Sequence, residues 1–148
     1  MASDFFSSMA ISAQGMTAQR ARMDIVSQNM ANANSTRTSE GGPYRRRQVV
    51  FSAVKPHQKF DDIFRSSFHD QQRLGVKVSQ VVEDKTPFRE VYNPGHPDAD
   101  ARGMVKMPNV QPVQEMVDMQ AAARSYEADV TAIQATKQMF MRSLDILK

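Results

Sequence analysis

Apolar residues near the amino end recur every seven positions, a spacing that predicts a helix packed along one seam. Phe5, Ala13 and Val26 occupy the second seam position less regularly. The main seam position is held by four methionines: Met9, Met16, Met23 and Met30. The pattern predicts an amino-terminal helix within residues 1–32.

Polar residues mark the expected ends of this helix. Ser3 or Asp4 is expected to cap its start, because either side-chain oxygen accepts hydrogen bonds from free backbone N–H groups. The helix is expected to stop in the asparagine-rich run at 29–34, where Asn29 and Asn32 cap the last turn and lead the chain away.

The carboxyl end carries the most regular pattern, over five heptads. Nine of its ten seam positions are apolar, and Lys137 is the exception. The seam consists of Met116, Ala123, Val130, Lys137 and Leu144 at position a and of Met119, Tyr126, Ile133, Phe140 and Leu147 at position d. Asn109 is the expected N-cap, and Pro112 would lie in the first turn, where its missing N–H costs little. A helix over 113–148 is predicted, and its long stripe requires a partner helix.

Between the two helices the chain is rich in residues that break regular structure. All seven prolines and five of the six glycines lie within 33–112, which predicts loops and short strands. One strand is expected at the end of 44–51 and another over the valines that follow Gly75. Aromatic residues at helical spacing predict a short helix near 61–72: Phe60, Phe64 and Phe68.

These elements define the expected fold class. It is predominantly α, with long terminal helices paired as a coiled-coil-like hairpin and a small, irregular, β-containing centre. The helices at 1–32 and 113–148 would form one discontinuous helical domain around the central segment.

Composition suggests that the chain cannot bury all of its apolar surface alone. Leu, Ile, Val and Phe together account for 30 of 148 residues, near the level of about 20% below which chains tend to be disordered. Much of the remaining hydrophobic content is Ala and Met, which favour helices and close helix contact. We therefore expect other subunits to cover part of the surface.

The sequence shows no run of about 18 apolar residues and so predicts no membrane-spanning helix. Its beginning lacks the basic and apolar regions of a secretory signal. On these observations alone the default location is cytoplasmic. The chain contains no cysteine, which excludes disulfides and thiolate metal sites.

One loop brings together residue types that could support metal binding or acid–base chemistry: His96, Asp98 and Asp100. The same residues lie among prolines and glycines, where aspartates commonly stabilise turns. The sequence contains no phosphate-binding loop, nucleophile elbow or metal-binding helix motif. We predict turn structure, with no catalytic residue, metal or cofactor and no small-molecule substrate.

The positive charge is concentrated in residues 37–60, which carry a net charge of +5. Consecutive arginines at 45–47 would suit an adaptor that binds nucleic acid or a membrane surface. On a strand, however, Arg46 points away from Arg45 and Arg47. A solvated or inter-subunit polar surface is the competing interpretation, and the adaptor is kept as the alternative function.

A resemblance to a known family rests on four stretches. Residues 27–35, which read Ser-Gln-Asn-Met-Ala-Asn-Ala-Asn-Ser, resemble the amino-terminal motif of bacterial flagellar rod and hook proteins. The other stretches resemble the proximal rod members of that family and lie in order along most of the chain: 44–51, 92–103 continuing to 107–110, and 115–116 followed by 124–128.

The resemblance implies a structural subunit of the flagellar basal-body rod, the drive shaft that crosses the periplasm and transmits torque to the hook. It implies terminal helices that polymerise around an export channel, and export by the flagellar type III system without a cleaved signal. The expected partners are further copies, other rod subunits and a membrane-ring adaptor at the rod base, with no nucleic acid. This location replaces the cytoplasmic default.

The expected assembly interface consists of Asn29, Asn32 and the apolar seam positions of both helices. Residues 55–74 make the centre longer than the family pattern. They would form either an extra contact with a neighbouring subunit or ring, through Phe60, Phe64 and Phe68, or a small helix packed only on its own chain.

Overall fold

The computed structural model describes residues 2–39, 41–54 and 74–146, with the backbone alone at 2–4 and 146. The described elements are, in chain order, α1 (Ala2–Ala31), β1 (Arg47–Val54), β2 (Gly75–Glu83), β3 (Arg89–Tyr92), β4 (Met104–Met107) and α2 (Pro112–Ile146). Two long helices with small sheets between them confirm the mostly helical fold class. The helix expected near 61–72, with Phe60, Phe64 and Phe68, lies outside the described residues.

The first helix begins slightly earlier than expected and ends within the asparagine-rich run, but the assignment of Asn29 as a cap was wrong, because its side chain bonds Tyr44, Arg47 and Glu115. Because α1 starts at Ala2, Ser3 and Asp4 lie within its first turn and do not precede it. At the other end, the backbone N–H of Asn32 donates to Gln28 O at 3.1 Å, and Asn32 Nδ2 donates to the same oxygen at 2.9 Å. Asn32 therefore satisfies a carbonyl that the end of the helix would otherwise leave free.

The start of α2 differs from expectation in its cap. The first helical hydrogen bond runs from the N–H of Glu115 to Gln111 O at 3.0 Å, so Gln111 occupies the N-cap position and the assignment of Asn109 was wrong. Asn109 instead accepts from the N–H of Arg46 at 2.8 Å and donates to Thr86 Oγ1 at 2.8 Å. Its side chain therefore bonds residues next to the strands and does not cap α2.

Two pairs of strands form two separate sheets. β1 pairs with β2, at the positions where β-forming residues predicted strands. β3 and β4 form an antiparallel pair that was not predicted, with Arg89 opposite Met107 and Tyr92 opposite Met104. Both strands are only four residues long, too short for an alternating pattern to stand out from the loop between them.

By packing, the chain forms two compact units. The first unit comprises Met1–Arg20, Phe51–Ser79 and Ala123–Lys148, and the second comprises Ala21–Val50 and Gln80–Ala122. In the first unit, the Phe5 ring meets the Phe140 ring edge-on, with centroids 5.7 Å apart. In the second unit, Ala33, Tyr44 and Val110 form a small buried cluster. Each unit thus combines parts of both helices with part of the centre.

Candidate assembly interface

A buried asparagine organises the second unit. Asn29 lies on α1 with only 1% of its surface exposed. Its Nδ2 donates to Glu115 Oε2 at 2.9 Å and to Arg47 O at 2.8 Å. Its Oδ1 accepts from the N–H of Arg47 at 2.9 Å and from the Tyr44 hydroxyl at 3.0 Å. All four hydrogen-bonding positions of the amide are therefore used, and α1, β1 and α2 are joined at one side chain.

A wholly buried carboxylate lies beside this amide. Glu115 has no exposed surface, and its Oε1 accepts from Arg46 Nε at 2.5 Å. Arg46 also donates to Asp118 Oδ2 at 3.3 Å, while Arg22 donates to Asp118 Oδ1 at 2.9 Å. A buried charge is tolerated when it is paired and hydrogen-bonded in this way. We call Asn29, Tyr44, Arg46, Glu115 and Asp118 the polar cluster.

The clustered arginines all have partners within the chain. The guanidinium of Arg45 lies 4.3 Å from the centre of the Phe88 ring, and Arg47 lies 3.8 Å from Glu83. Arg46 belongs to the polar cluster. Because all three guanidinium groups have partners within the chain, these contacts do not favour the alternative function.

The surroundings of Tyr44 in the polar cluster shift the pKa of its hydroxyl. Burial raises the pKa of Tyr44 above its ordinary value of 10.0, an effect that the Arg47 charge opposes and the Glu115 and Glu83 charges reinforce. The hydroxyl stays protonated and donates to Asn29. Tyr44 was not predicted as a site residue, although it lies directly before the three arginines, at the start of the 44–51 stretch.

On α1, the predicted seam residues are less buried than a neighbouring row of residues on the same helix. Ala18, Val26 and Asn29 are buried, whereas the four methionines are partly buried: Met9, Met16, Met23 and Met30. The heptad spacing puts the four methionines along one stripe of the helix. That stripe forms an edge of the covered face, and its sulfur-containing side chains keep part of their surface in solvent.

On α2, the covered face is displaced from the predicted a positions. The most buried residues are Glu115 and Ala122, each one position before an a residue. Six seam residues are partly buried: Met119, Ala123, Tyr126, Val130, Ile133 and Phe140. Met116 and Leu144 are exposed by 50% and 44%. Leu147 lies outside the described residues.

A glycine of α1 faces a carboxylate of α2 where the two helices approach in the first unit. A Cβ added to Gly15 would lie 2.5 Å from Asp129 Oδ2, so a side chain at this position requires the carboxylate to move. In the second unit, Arg22 and Asn29 of α1 contact Asp118 and Glu115 of α2. Contacts between α1 and α2 thus occur within each unit.

Apolar side chains remain uncovered on both helices. In the second unit, Val113, Met116 and Val117 in the first turns of α2 are at least half exposed. In the first unit the exposed set is Phe6, Met139, Met141 and Leu144. Clusters of exposed large apolar residues commonly mark surfaces that other proteins cover.

The histidine loop is held by its own side chains. Asp100 Oδ1 accepts from the N–H groups of Arg102 and Met104 at 2.8 and 2.9 Å, and these two bonds, that to Met104 first, lower the pKa of Asp100. Asp98 accepts from the Thr36 hydroxyl at 2.8 Å, and His96 Nδ1 accepts from the N–H of Asp98. This geometry is that of consecutive turns. Across 2–39, 41–54 and 74–146, no three acidic or histidine residues are placed to share a metal ion.

Comparison with known proteins identifies the family. Residues 9–37 match a family described as flagella basal body rod protein, and residues 101–146 match the carboxyl-terminal family of flagellar basal body rod FlgEFG proteins. The chain is 46% identical over 149 residues to the flagellar basal-body rod protein FlgC of Bacillus subtilis, covering 97% of this chain and 98% of the relative. The chain belongs to the FlgC family.

Other FlgC relatives extend the same similarity. Those of Borreliella burgdorferi and Aquifex aeolicus are each 41% identical, and in both comparisons at least 97% of each chain is covered. The resemblance drawn from the motifs is confirmed. As a FlgC family member the chain is a structural subunit of the flagellar basal-body rod and not an enzyme. No described helix combines the length and hydropathy that crossing a bilayer requires.

The stretches that carried the FlgC resemblance also supply four of the five residues of the polar cluster, all except Asp118. Asn29 lies in 27–35, Tyr44 and Arg46 lie in 44–51, and Glu115 begins 115–116. Sequence reasoning therefore located the segments of this site. It did not identify the ion pair between Arg46 and the buried Glu115.

Proposed function

We propose that the chain enters the rod through α1 and α2, which pair as a coiled-coil-like hairpin and lie beside the helices of further copies and other rod subunits. The observation that carries the proposal is the incomplete burial of the seam residues within one chain. Partly buried methionines along α1 and exposed apolar residues at both ends of α2 leave surface that neighbouring helices would cover.

The proposed interface retains the residues expected from sequence. Their partial burial supports this assignment for most of them, while Asn29 supports the interface indirectly by holding α1 against β1 and α2. The set is Met9, Met16, Met23, Met30, Asn29, Asn32, Met116, Met119, Ala123, Tyr126, Val130, Ile133, Phe140, Leu144 and Leu147. A further contact through Phe60, Phe64 and Phe68 stays a prediction.

The polar cluster suits a subunit that must hold its helices in one register. Sliding α1 along α2 would separate Asn29 from Glu115 and leave a buried amide and a buried carboxylate unpaired. Buried polar pairs can specify register in this way, because any other alignment carries their desolvation cost. A fixed register would present the uncovered apolar residues at constant positions to each neighbour.

In the assembled rod we propose a mechanical role. Paired helices packed around a central export channel would transmit torque along a shaft crossing the periplasm, since extensive side-chain contacts resist shear. Placement in the proximal rod, contact with a membrane-ring adaptor and export by the flagellar type III system rest on the family resemblance. Open, non-self-complementary contacts are the kind that extend an assembly along an axis.

The proposal is tested with Met23→Asp combined with Ile133→Asp. Each change places a charge on a partly buried seam residue, so we expect the protein to be made but to be absent from isolated basal bodies, with loss of motility. Ser27→Asp combined with Gln134→Asp adds the same charges at exposed positions and serves as the matched control. Normal swimming of the seam variant would contradict assembly through these stripes.

A further inference from the structure

A groove in the first unit lies outside the helix seam. It has a volume of about 480 Å³ and is lined by α1 on one side and by β1 and β2 on the other. Ala13, Gln14 and Thr17 form the helical side, and Val54, Val76 and Val78 form the strand side. Gln14 lies against Gly75 of β2, and the alanine, threonine and valine side chains make the rest of the trough apolar.

The groove has one charged residue at its edge. Lys77 lines it, is exposed, and makes no ion pair with any other described residue. An apolar trough with a single unpaired ammonium matches a ligand surface that combines apolar side chains with a carboxylate.

The last turns of α2 present that combination. Met141, Leu144 and Asp145 are exposed and lie three and four residues apart, so they share one face of the helix. Within the part of the chain that the structure describes, Asp145 has no basic partner in an ion pair. Two apolar side chains and a carboxylate thus lie together, all exposed, on one face of a helix end.

The same chain cannot bring this helix end to its own groove. Phe140 contacts Phe5 and Phe6, which lie about 15 Å along α1 from the groove residues at 13–18, at 1.5 Å per residue. Gly15, at the level of the groove, faces Asp129 of α2. Occupation by residues 141–145 therefore requires another molecule.

We propose that this groove receives residues 141–145 of α2 from a second copy of the chain, with Asp145 of one copy paired to Lys77 of the next. The inference rests on the proposed assembly function and names one of its contacts. Groove and helix end are different surfaces of one molecule, so the contact does not close on itself and each added copy offers a new groove.

Charge reversal tests the pairing in cells that depend on this chain for swimming. Lys77→Glu alone and Asp145→Lys alone each place like charges at the contact, and we expect each to reduce swimming in soft agar. The double variant restores opposite charges between successive copies and should recover swimming. Two harmless single variants, or a double variant as impaired as its parents, would overturn the inference.

Cysteine cross-linking tests the contact directly, because the chain has no cysteine of its own. Ala13→Cys and Met141→Cys are expressed as separate chains in one cell, and isolated basal bodies are oxidised. We expect a reducible band of two chains, absent when either variant is expressed alone. Ala31→Cys, exposed at the end of α1, replaces Ala13→Cys as the matched control and should give no such band.

Immunoblotting of the same basal bodies distinguishes a failure of the groove contact from a failure of the proposed assembly function. If both variants are incorporated and no cross-link forms, the groove contact is wrong while the assembly function stands. If even the unmodified chain is missing from basal bodies, the proposed function fails and the inference falls with it.

Discussion

Arg46 Nε donates to Glu115 Oε1 across 69 positions of sequence, and the carboxylate it reaches has no exposed surface. The pair joins the entrance of β1 to the first turn of α2. Since Asn29 binds the other carboxylate oxygen, three chain segments meet at one charged group. The loss of any of these partners leaves a buried polar group without its hydrogen bond.

Removing the carboxylate should therefore destabilise the second unit strongly. Glu115→Ala removes the acceptor of Arg46 Nε and one of the two acceptors of Asn29 Nδ2, and we expect the free energy of unfolding to fall by about 1–3 kcal/mol for each buried donor left without its bond. Urea denaturation followed by circular dichroism measures the change. Glu127→Ala, at an exposed position of the same helix, should stay close to the parent protein.

Replacing both members of the pair by apolar residues should cost less than removing one. Arg46→Met combined with Glu115→Leu removes both charges and keeps similar volumes, so no buried ion remains unpaired at this contact. We expect the double variant to be more stable than Glu115→Ala in the same urea experiment. Arg46 also lies 3.8 Å from Asp84. A double variant that is less stable than Glu115→Ala would show that Arg46 acts mainly through Asp84 and Asp118.

The amide of Asn29 should be irreplaceable by a small apolar side chain. Asn29→Ala leaves the Arg47 backbone and the Tyr44 hydroxyl without partners, and each unsatisfied buried group costs about 1–3 kcal/mol. Thermal melting should show a clear decrease in midpoint. Asn34→Ala, on an exposed neighbour in the same run, is the control, and an equal decrease there would contradict the role assigned to Asn29.

Stability should fall at alkaline pH because of Tyr44. Its folded-state pKa is raised above the ordinary 10.0, so the unfolded chain loses the hydroxyl proton more readily than the folded chain. The stabilisation is present below pH 10 and is lost as the pH rises through the folded-state pKa. Urea denaturation at several pH values between about 8 and about 11, on both sides of the ordinary tyrosine pKa, measures this loss of stability. Tyr44→Phe should reduce this dependence.

Gly15 and Asp129 should be energetically coupled. Gly15→Ala gains about 1 kcal/mol of helix propensity but places a methyl group on the Asp129 carboxylate. We expect the single change to gain less than that amount, and its benefit to appear in full when Asp129→Ala is also present. Additive effects on the free energy of unfolding in a double-mutant cycle would disprove the contact.

The elements of this protein follow from local patterns. Heptad spacing and the absence of breakers predict α1 and α2, and β-forming residues predict β1 and β2, because these signals act between residues close in the chain. The short strands β3 and β4 carry too few residues for such a signal. The motifs at 27–35 and 44–51 also locate the family and two of the segments that form the polar cluster.

Partner choice within the fold was decided by the tertiary structure. The heptads place Met23 or Met116 on a stripe, but which edge of the stripe is covered depends on the elements packed against it. Likewise, Asn109 has the chemistry of a helix cap and Glu115 that of a solvated first-turn acid. Asn109 instead bonds Arg46 and Thr86, and Glu115 is buried against Arg46 and Asn29. Such pairings join residues far apart in sequence, and local spacing carries no information about them.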